Sequence, residues 1–399
     1  IADRFFGEPS KSLRVVGVTG TNGKTSCSHF LAHALGDGAS AAVIGTLGWG
    51  VPGLLRPTAH TTPDAIEVHS LLATLKAEGA ANVAIEASSH GLHQGRLNAV
   101  RFKGGLFTNL SRDHLDYHQS MEAYLEAKLR LIEWPGLEFM VFNLDDESSQ
   151  AILGRAPGAV RKIGFSVSGR YGQTLGLEVL QASEIRHDRT GVSFDVRFGV
   201  EKARIAAPLY GDFNVENLMG TLGVLLALGF DLGKSAQLLD RVRAVPGRME
   251  RFAAESGAMV VVDYAHTPDA LQQALASLGR HCDGSLWVVF GCGGDRDRGK
   301  RPQMGAVAEK LADRVVLTDD NPRSEDGDAI IHGILEGCVG QGFPVVRDRR
   351  SAITYAVEHL KEGDVLLVAG KGHEDYQEIK SVRYPFSDRA IVRELLGLT

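Results

Sequence analysis

The chain has 399 residues, of which 44% are hydrophobic and 23% are charged, and its formal net charge is −6. This composition is ordinary for globular proteins, and the length favours two or three domains. Lys and Arg are spread along the chain without a basic block, so no nucleic-acid partner is indicated. No apolar run is long enough to span a bilayer and no signal-peptide pattern is present, so we expect no membrane insertion.

The four cysteines form neither a CxxC pair nor a Cys/His zinc spacing. So few cysteines in a long chain favour reduced thiols and a cytoplasmic location. The chain begins with Ile1, and a glycine-rich loop follows almost at once, which suggests a missing upstream segment.

The first recognisable unit is a strand, a glycine loop and a helix. Val15, Val16 and Val18 predict a buried strand, and apolar residues at helical spacing follow the loop until Gly36. The loop between them comprises Gly20, Thr21, Asn22, Gly23, Lys24 and Thr25.

Such a loop can bind a nucleotide, because its backbone N–H groups and the helix N-terminus form an anion site. Lys24 is then expected at the β- and γ-phosphates, and the Thr25 hydroxyl at Mg²⁺. The general phosphate-loop pattern fails at Val18, where it requires glycine. An ordinary glycine turn before a helix is the alternative.

The remaining pattern predicts an α/β protein with two sheets. Apolar runs at 82–86, 105–109 and 139–143 alternate with helical segments, which is typical of a parallel sheet covered by helices. From about 161 to 208 the pattern changes, and residues 192–198 alternate strictly, which indicates a patch of half-buried strands. We expect a small antiparallel patch in the sheet, and a helix follows at about 215–228. We therefore predict a central domain at 1–244, with a mostly parallel sheet of the phosphate-loop NTPase type.

A second α/β series predicts a Rossmann-like C-terminal domain at 245–399. Its strands are expected at 259–262, 286–290, 315–317, 345–346 and 365–369. Ligands of open α/β sheets bind at the carboxyl ends of the strands, so the turns there are candidate binding sites.

Several motifs in order give the chain a family resemblance. The loop Gly20–Thr25 resembles that of the Mur ligases and the related folylpolyglutamate synthetases. Further matching stretches lie at Thr61–Pro63, Glu86–Leu92, Asn109–Asp116, Gly211–Asn214, Pro246–Glu250, Asp263–Pro268 and Gly293–Arg296. Within the Mur ligases the chain most resembles the UDP-N-acetylmuramoyl-tripeptide synthetases, and Asp320-Asn321-Pro322-Arg323 resembles their motif for meso-diaminopimelate. The N-terminal UDP-binding domain of that family is absent from this sequence.

The resemblance implies an ADP-forming ligase of peptidoglycan synthesis, and hence of cell-wall biogenesis, cell shape and cell division. ATP with Mg²⁺ would activate the D-glutamate carboxylate of a UDP-linked muramoyl dipeptide as an acyl phosphate, and the amine of meso-diaminopimelate would attack it. Both stages build negative charge on oxygen, so cations placed in advance are needed. We expect a monomer with these small-molecule substrates.

The resemblance assigns a metal site to Thr25, Glu86, His114 and Lys128. Glu86 ends a predicted strand, where a hard oxygen ligand suits Mg²⁺; a surface carboxylate is the alternative. His114 can instead be a hydrogen-bonded structural residue. Lys128, carbamylated in the family, would become an oxygen ligand; its alternative is a solvated helix lysine.

Other positions correspond to substrate and nucleotide contacts of the family. Hydroxyl groups and an Arg side chain suit phosphate, amide and carboxylate oxygens. The muramoyl-peptide contacts implied are Thr61, Thr62, Ser88, Gln94 and Arg96. A turn at Thr61–Pro63 and a surface salt bridge of Arg96 are the alternatives.

The nucleotide positions implied are Asn214, Asp263 and His266, near adenine and ribose. Arg248 follows the domain boundary and is assigned to catalysis, at the γ-phosphate; a structural ion pair is its alternative.

The incoming amino acid is assigned to the C-terminal domain. The residues implied are Arg296, Asp320, Asn321, Pro322, Arg323, Gly370 and Glu374. Arg323 and Glu374 complement the distal carboxylate and amine of diaminopimelate, whereas lysine would leave the arginine unpaired. A plain turn is the alternative for Asp320–Arg323, because Asp, Asn and Pro favour turns.

Four rival functions remain at this point. A lysine-adding homologue or a folylpolyglutamate-synthetase-like ligase would share the activation chemistry. A phosphate-loop phosphotransferase or ATPase switch would form no amide. A truncated chain would bind ATP and the amino acid without turnover.

Overall fold

A computed structural model of the protein describes residues 1–36, 41–169, 176–188, 191–340 and 342–398. The chain divides into two compact units. The first unit comprises Ile1–Ser111, His118–Leu209 and Phe213–Arg243. The second unit comprises Arg112–Tyr117, Tyr210–Asp212 and Ala244–Thr399.

The first unit is built on one large, mostly parallel sheet. Its strands are β1 (Arg14–Thr19), β2 (Ala41–Gly45), β3 (Gly48–Gly50), β4 (Asn82–Glu86), β5 (Phe102–Phe107), β6 (Phe139–Asn143), β7 (Arg161–Ser166), β8 (Leu177–Asp188), β9 (Gly191–Phe198) and β10 (Glu201–Ala207). Their order in the sheet is β10-β9-β8-β7-β6-β5-β1-β4-β2-β3. Neighbouring strands pair parallel throughout the run β8-β7-β6-β5-β1-β4-β2. The pairs β8-β9 and β9-β10 are antiparallel and form the predicted antiparallel patch. The predicted fold class is confirmed.

The second unit contains a five-stranded sheet and a hairpin. Its strands are β11 (Glu250–Ala253), β12 (Met259–Asp263), β13 (Leu286–Phe290), β14 (Arg314–Leu317), β15 (Val365–Ala369), β16 (Tyr376–Ile379) and β17 (Val382–Pro385). The sheet order is β11-β12-β15-β13-β14, parallel except for β11, and β16 pairs antiparallel with β17.

Helices connect these strands. In chain order they are α1 (Ala2–Phe5), a 3₁₀ turn (Pro9–Lys11), α2 (Lys24–Leu35), α3 (Ala65–Ala77), α4 (Ser89–His93), α5 (Leu115–His118), α6 (Met121–Leu129), α7 (Ser149–Arg155), α8 (Asp212–Ala227), α9 (Leu232–Leu239), α10 (Pro268–Gly279), α11 (Lys300–Leu311), α12 (Gly327–Leu335), α13 (Arg349–Glu358) and α14 (Asp388–Leu395). Within the described ranges, no helix is long and apolar enough to cross a bilayer.

One strand prediction was wrong in detail. The strand predicted at 345–346 is only an isolated bridge between Val345 and Leu317. Because Pro344 has no N–H group, the ladder cannot extend on that side.

The parallel strands at the centre of the first sheet, such as β1, β4 and β6, are buried on both faces, which explains their continuous apolar runs. Val15 and Ile85 join a core cluster with Val68 and Leu72 of α3, while α2 packs against β2 and β4 on their other face. In the second unit, Val260, Val289 and Leu366 form a core with side chains of α13 and α14. In these buried parallel strands, polar residues such as Glu86 and Asp263 lie at the strand ends.

Candidate active site

The phosphate loop has the backbone that its glycines permit. Gly20 has φ +137° and Gly23 has φ +84°, values that L side chains rarely adopt. A Cβ on Gly20 would overlap the Thr108 hydroxyl oxygen, and one on Gly23 would overlap the Asn217 side chain. The loop therefore packs tightly against its neighbours at both glycines.

The end of β5 holds the loop in place. The Thr21 N–H donates to the main-chain oxygen of Asn109 at 2.9 Å, and the Asn22 N–H donates to the Asn109 side chain at 2.9 Å. The Thr108 hydroxyl donates to the Asn22 main-chain oxygen at 2.6 Å. These bonds fix the two residues that precede Gly23.

The helix α2 begins at Lys24, with Gly23 as its N-cap. The Lys24 ammonium donates to the main-chain oxygens of Gly20 at 2.9 Å and Thr21 at 2.8 Å. A helix N-terminus with a lysine folded over its loop is an arrangement suited to phosphate oxygens.

Glu86 ends β4 and is fully buried, so the alternative of a surface carboxylate is wrong. Its Oε2 accepts hydrogen bonds from the hydroxyls of Thr25 at 2.9 Å and Thr46 at 3.0 Å. Its Oε1 accepts from the Thr46 N–H at 2.8 Å. The neighbouring strand has Gly45 at this point, where a Cβ would overlap the carboxylate.

Lys128 lies on α6 and is 1% exposed, so it is not a solvated helix lysine. Its ammonium donates to the Gly20 main-chain oxygen at 2.6 Å and lies 4.4 Å from the ring centroid of Tyr124. The Tyr124 hydroxyl is 3.2 Å from the hydroxyl oxygen of Thr21. The structure thus brings Lys128 to the phosphate loop.

The metal prediction fits part of this arrangement. Thr25 and Glu86 supply hard oxygen donors in contact with each other, and Mg²⁺ usually takes one or two protein oxygens together with phosphates and water. Lys128 would join them as a ligand only in its carbamylated form, and that modification stays a prediction. In the described ranges, no group of three or more His, Cys, Asp or Glu could hold a metal ion.

The predicted muramoyl-peptide contacts form a connected hydrogen-bond network beside Glu86. The Thr61 hydroxyl lies 3.0 Å from that of Thr46. The Thr62 hydroxyl lies 2.6 Å from the main-chain oxygen of Glu86 and 2.8 Å from the Ser88 hydroxyl. Ser88 caps α4 by accepting from the Gly91 N–H at 3.1 Å.

Arg96 belongs to the same network. Its guanidinium donates to the Thr62 main-chain oxygen at 2.8 Å and to the Gln94 side chain at 2.9 Å. Neither partner is a carboxylate, so these contacts differ from the surface salt bridge considered as the alternative.

Asn214 lies on α8 and is 5% exposed, and its side-chain oxygen accepts from the Asn217 amide at 3.1 Å.

In the second unit, Asp113 organises two histidines. The His114 Nε2 lies 3.4 Å and the His266 Nε2 3.7 Å from the Asp113 carboxylate. Burial raises the pKa of Asp113, but the hydrogen bond from His266 and the positive charges of His114, His266 and Lys300 hold it well below its usual range. Asp113 is therefore an anion around which these side chains are arranged.

Asp263 ends β12, and its carboxylate accepts from the Met249 N–H at 2.7 Å. Burial raises the pKa of Asp263. The Arg248 guanidinium stacks 4.3 Å above the ring of Tyr264, and the His266 Nδ1 lies 2.8 Å from the Tyr264 main-chain oxygen. The residues predicted for nucleotide contact in the second unit thus surround one turn after β12.

The residues after β14 and β15 meet at one edge of the second sheet. Asn321 donates to Glu374 at 2.8 Å, and Lys371 donates to Asn321 at 3.0 Å and to Glu374 at 2.9 Å. Gly370 has φ +112°, and a Cβ there would lie 2.5 Å from the carboxylate of Asp320. The predicted amino-acid contacts on these two turns are therefore adjacent.

The arginines predicted beside them have protein partners. Arg323 donates to the Gly294 main-chain oxygen at 2.7 Å and lies 3.7 Å from the carboxylate of Glu378, not that of Glu374. The main-chain oxygen of Pro322 accepts from the Glu325 N–H at 3.0 Å. Arg296 lies 3.8 Å from the carboxylate of Asp116.

Three side chains in these sites were not predicted: Thr46, Asp113 as an organising anion, and Lys371. Lys371 stands in Gly370-Lys371-Gly372, directly after an apolar run, and this glycine-flanked lysine at a strand end is a signal that could have indicated it. Thr46 gives no comparable signal, because its role depends on β2 lying beside β4.

The geometry defines a phosphate-loop α/β unit followed by an open-sheet α/β unit with a polar site at its strand ends. The profile of the Mur ligase middle domain matches residues 18–225, and that of the Mur ligase glutamate ligase domain matches residues 247–372. The chain therefore belongs to the Mur ligase family.

Individual members of the family show which ligases the chain is similar to. The chain is 48% identical over 404 residues to the UDP-N-acetylmuramoyl-L-alanyl-D-glutamate–2,6-diaminopimelate ligase of Ralstonia nicotianae, covering 100% of this chain and 79% of the relative. It is 49% identical over 400 residues to the ligase of the same name from Alkalilimnicola ehrlichii, with the same coverage. A solved structure of a ligase of that name is 38% identical, with a TM-score of 0.68 over 99% of this chain and 82% of that one.

Proposed function

We propose that the protein is an ATP-dependent, ADP-forming ligase that adds meso-diaminopimelate to UDP-N-acetylmuramoyl-L-alanyl-D-glutamate. The support is the membership of the family, the similarity over the whole of this chain to ligases of that name, and the two sets of strand-end residues described above. The predicted cytoplasmic location and monomeric state stay predictions.

In the first unit, the loop binds and orients the triphosphate. Main-chain N–H groups of the loop and the N-terminus of α2 attract the phosphate oxygens, and Lys24 exchanges its main-chain acceptors for phosphate oxygens when ATP is present. Lys128, held at Gly20, adds positive electrostatic potential at the same loop.

The carboxylate of Glu86 and the hydroxyl of Thr25 would hold Mg²⁺, which when bound neutralises charge on the phosphate oxygens. The Thr46 contacts keep the Glu86 carboxylate in one orientation before any ligand arrives. Thr61, Thr62, Ser88, Gln94 and Arg96 would position the peptide of the acid substrate beside it.

The chemistry then needs two transfers. A carboxylate oxygen of the D-glutamate attacks the γ-phosphorus, ADP leaves, and an acyl phosphate forms. The amine of the incoming amino acid attacks the acyl carbon, phosphate leaves, and the amine loses a proton as the amide forms. We assign Arg248, His114 and Lys128 to the stabilisation of negative charge in these steps.

In the second unit, Asn321, Arg323, Gly370 and Glu374 would recognise the amino acid. An arginine and a carboxylate at one sheet edge complement a ligand end that carries both a carboxylate and an amine. Diaminopimelate has such an end, whereas lysine has only the amine.

The single observation that carries the proposal is the buried Glu86 carboxylate in contact with Thr25 of the phosphate loop. A buried carboxylate beside the phosphate loop supports its assignment to a nucleotide-bound cation, since Glu86 forms no ion pair within the part of the chain that the structure describes.

The test is acceptor-dependent ADP release with the UDP-linked dipeptide and ATP, with the product identified by mass spectrometry. We expect a mass increase that corresponds to one amide bond with diaminopimelate, and much slower turnover with lysine. Replacing Arg323 by Met should reduce turnover with diaminopimelate and leave the weak turnover with lysine unchanged. A preference for lysine, or ADP release without amide formation, would contradict the proposal.

A further inference from the structure

We propose that Lys371 is a positioning residue that fixes the Glu374 carboxylate to receive an ammonium group of the incoming amino acid. The inference rests on the proposed function, because it concerns how the amino-acid site selects its ligand.

The geometry commits one oxygen of Glu374 to the protein. The Oε2 atom accepts from the Lys371 ammonium at 2.9 Å and from the Asn321 amide at 2.8 Å. In the described part of the chain, no donor bonds to Oε1. The Glu374 side chain is 14% exposed and that of Lys371 is 0% exposed, so a ligand can reach the carboxylate but not the lysine. One oxygen of a fixed carboxylate is thus left to accept from a ligand.

The local sequence explains how the lysine comes to be buried. Gly370 has φ +112° and Gly372 has φ +51°, so the chain turns sharply on both sides of Lys371 directly after β15. Its ammonium has protein partners in Glu374, in the Asn321 side-chain oxygen at 3.0 Å, and in the ring of Tyr376 at 5.5 Å from the centroid. These contacts offset the cost of desolvating the ammonium.

Lys371 is close to two acidic side chains. It donates to Glu374, and the carboxylate of Asp320 would lie 2.5 Å from a Cβ on the adjacent Gly370. Arg349, which pairs with Asp388 at 2.7 Å, also interacts electrostatically with Asp320 and Glu374. Without Lys371 the two carboxylates would repel each other, and Glu374 would lose its fixed orientation.

Direct contact between Lys371 and a ligand carboxylate is the competing role. The complete burial of Lys371 and the direction of its hydrogen bonds toward Asn321 and Glu374 oppose it. Lys371 therefore acts through Glu374, and its removal should affect only ligands that carry the second amine.

The experiment compares Lys371→Met, Glu374→Gln and the double variant, with Lys361→Met as a control. Lys361 is exposed and precedes the same strand. The acceptors are meso-diaminopimelate and 2-aminopimelate, which lacks the second amine but keeps both carboxylates. Turnover gives KM and kcat for each acceptor, and calorimetry gives the dissociation constant of each acceptor without relying on turnover.

We expect Lys371→Met to raise the KM and dissociation constant for diaminopimelate by roughly tenfold to a hundredfold, as for the loss of a charge-assisted hydrogen bond. The values for 2-aminopimelate and the KM for ATP should stay unchanged. The double variant should bind diaminopimelate no more weakly than Glu374→Gln alone, because the lysine acts only through that carboxylate. Should Lys371→Met fail to fold, Lys371→Gln, which can donate to Oε2 without a charge, takes its place with a smaller expected effect.

Equal weakening for both acceptors, additive effects in the double variant, or unchanged diaminopimelate binding in a folded Lys371 variant would each overturn the inference while leaving the proposed function intact. A wild-type chain that binds diaminopimelate but forms no amide with either acceptor would instead contradict the proposed function. Absence of diaminopimelate binding to the wild-type chain would overturn the inference directly.

Discussion

Replacing Glu86 by Gln should separate charge from shape at the phosphate loop. The side chain is fully buried, and its carboxylate accepts from Thr25 and from both the hydroxyl and the N–H of Thr46. The Gln oxygen should take the position of Oε1, because the Thr46 N–H can only donate. The Gln amide then lies beside two hydroxyls, which can rotate to accept from it.

The magnitudes follow from this geometry. The hydrogen bonds to residue 86 remain, but their acceptor is no longer a charged carboxylate. The free energy of unfolding should therefore fall by only about 1–2 kcal/mol. Transition-state stabilisation by the nucleotide-bound cation should fall more, by about 3–4 kcal/mol, which corresponds to roughly a hundredfold to a thousandfold loss in kcat.

The assay is steady-state ADP release with saturating diaminopimelate and UDP-linked dipeptide, together with urea unfolding. Glu147→Gln is the matched control, because Glu147 is an exposed carboxylate in the same unit. A folded Glu86→Gln protein with the turnover of the control would refute the assignment of Glu86 to the nucleotide site.

Three further outcomes are expected. Gly20→Ala should weaken binding of a fluorescent ATP analogue at least tenfold, because φ is +137° and a Cβ would overlap Thr108, whereas Gly158→Ala, with open space around it, should bind normally; equal affinities would contradict the loop assignment. Arg349→Met should lower the free energy of unfolding, measured in urea, by about 3–5 kcal/mol, because it leaves Asp388 buried and unpaired. A second change, Asp388→Leu, should restore much of that loss. A double variant as unstable as the single one would refute this account. Burial and the positive charge of Arg248 lower the pKa of His373 to about 3. Below about pH 6.5 the unfolded state therefore binds a proton at His373 that the folded state does not bind. The free energy of unfolding should fall by about 2 kcal/mol from pH 7 to pH 5 for this reason. His373→Gln should remove this part of the pH dependence, and a wild-type curve no steeper than that of the variant would contradict it.

The sequence predicted the framework because burial on both sides of a parallel sheet leaves an unambiguous apolar run. The strands β4, β6, β13 and β15 begin and end at or within a residue of the predicted positions. The strand prediction at 345–346 was wrong for a local reason. The apolar pair after Pro344 resembles a strand in sequence, but the backbone hydrogen bonds of this segment to β14 involve only Leu317.

The site was predicted less completely because burial and pairing depend on residues distant in sequence. Lys128 looks like an ordinary helix lysine until α6 is placed against Gly20. Thr46 contacts Glu86 only because β2 and β4 are neighbours in the sheet. Arg323 was expected to act beside Glu374, but its nearest carboxylate is that of Glu378, on a hairpin for which no strand was predicted.

The position of β15 has a consequence for the biogenesis of the second unit. This strand is the last of its sheet in chain order, yet it occupies the centre of that sheet, with β12 and β13 on either side. On a ribosome, β12 must wait about 100 residues and β13 about 75 residues for the strand that joins them, with apolar edges exposed meanwhile. Nascent chains that stop before residue 365 should therefore be sensitive to protease and bound by chaperones, and chains that continue past α14 should not.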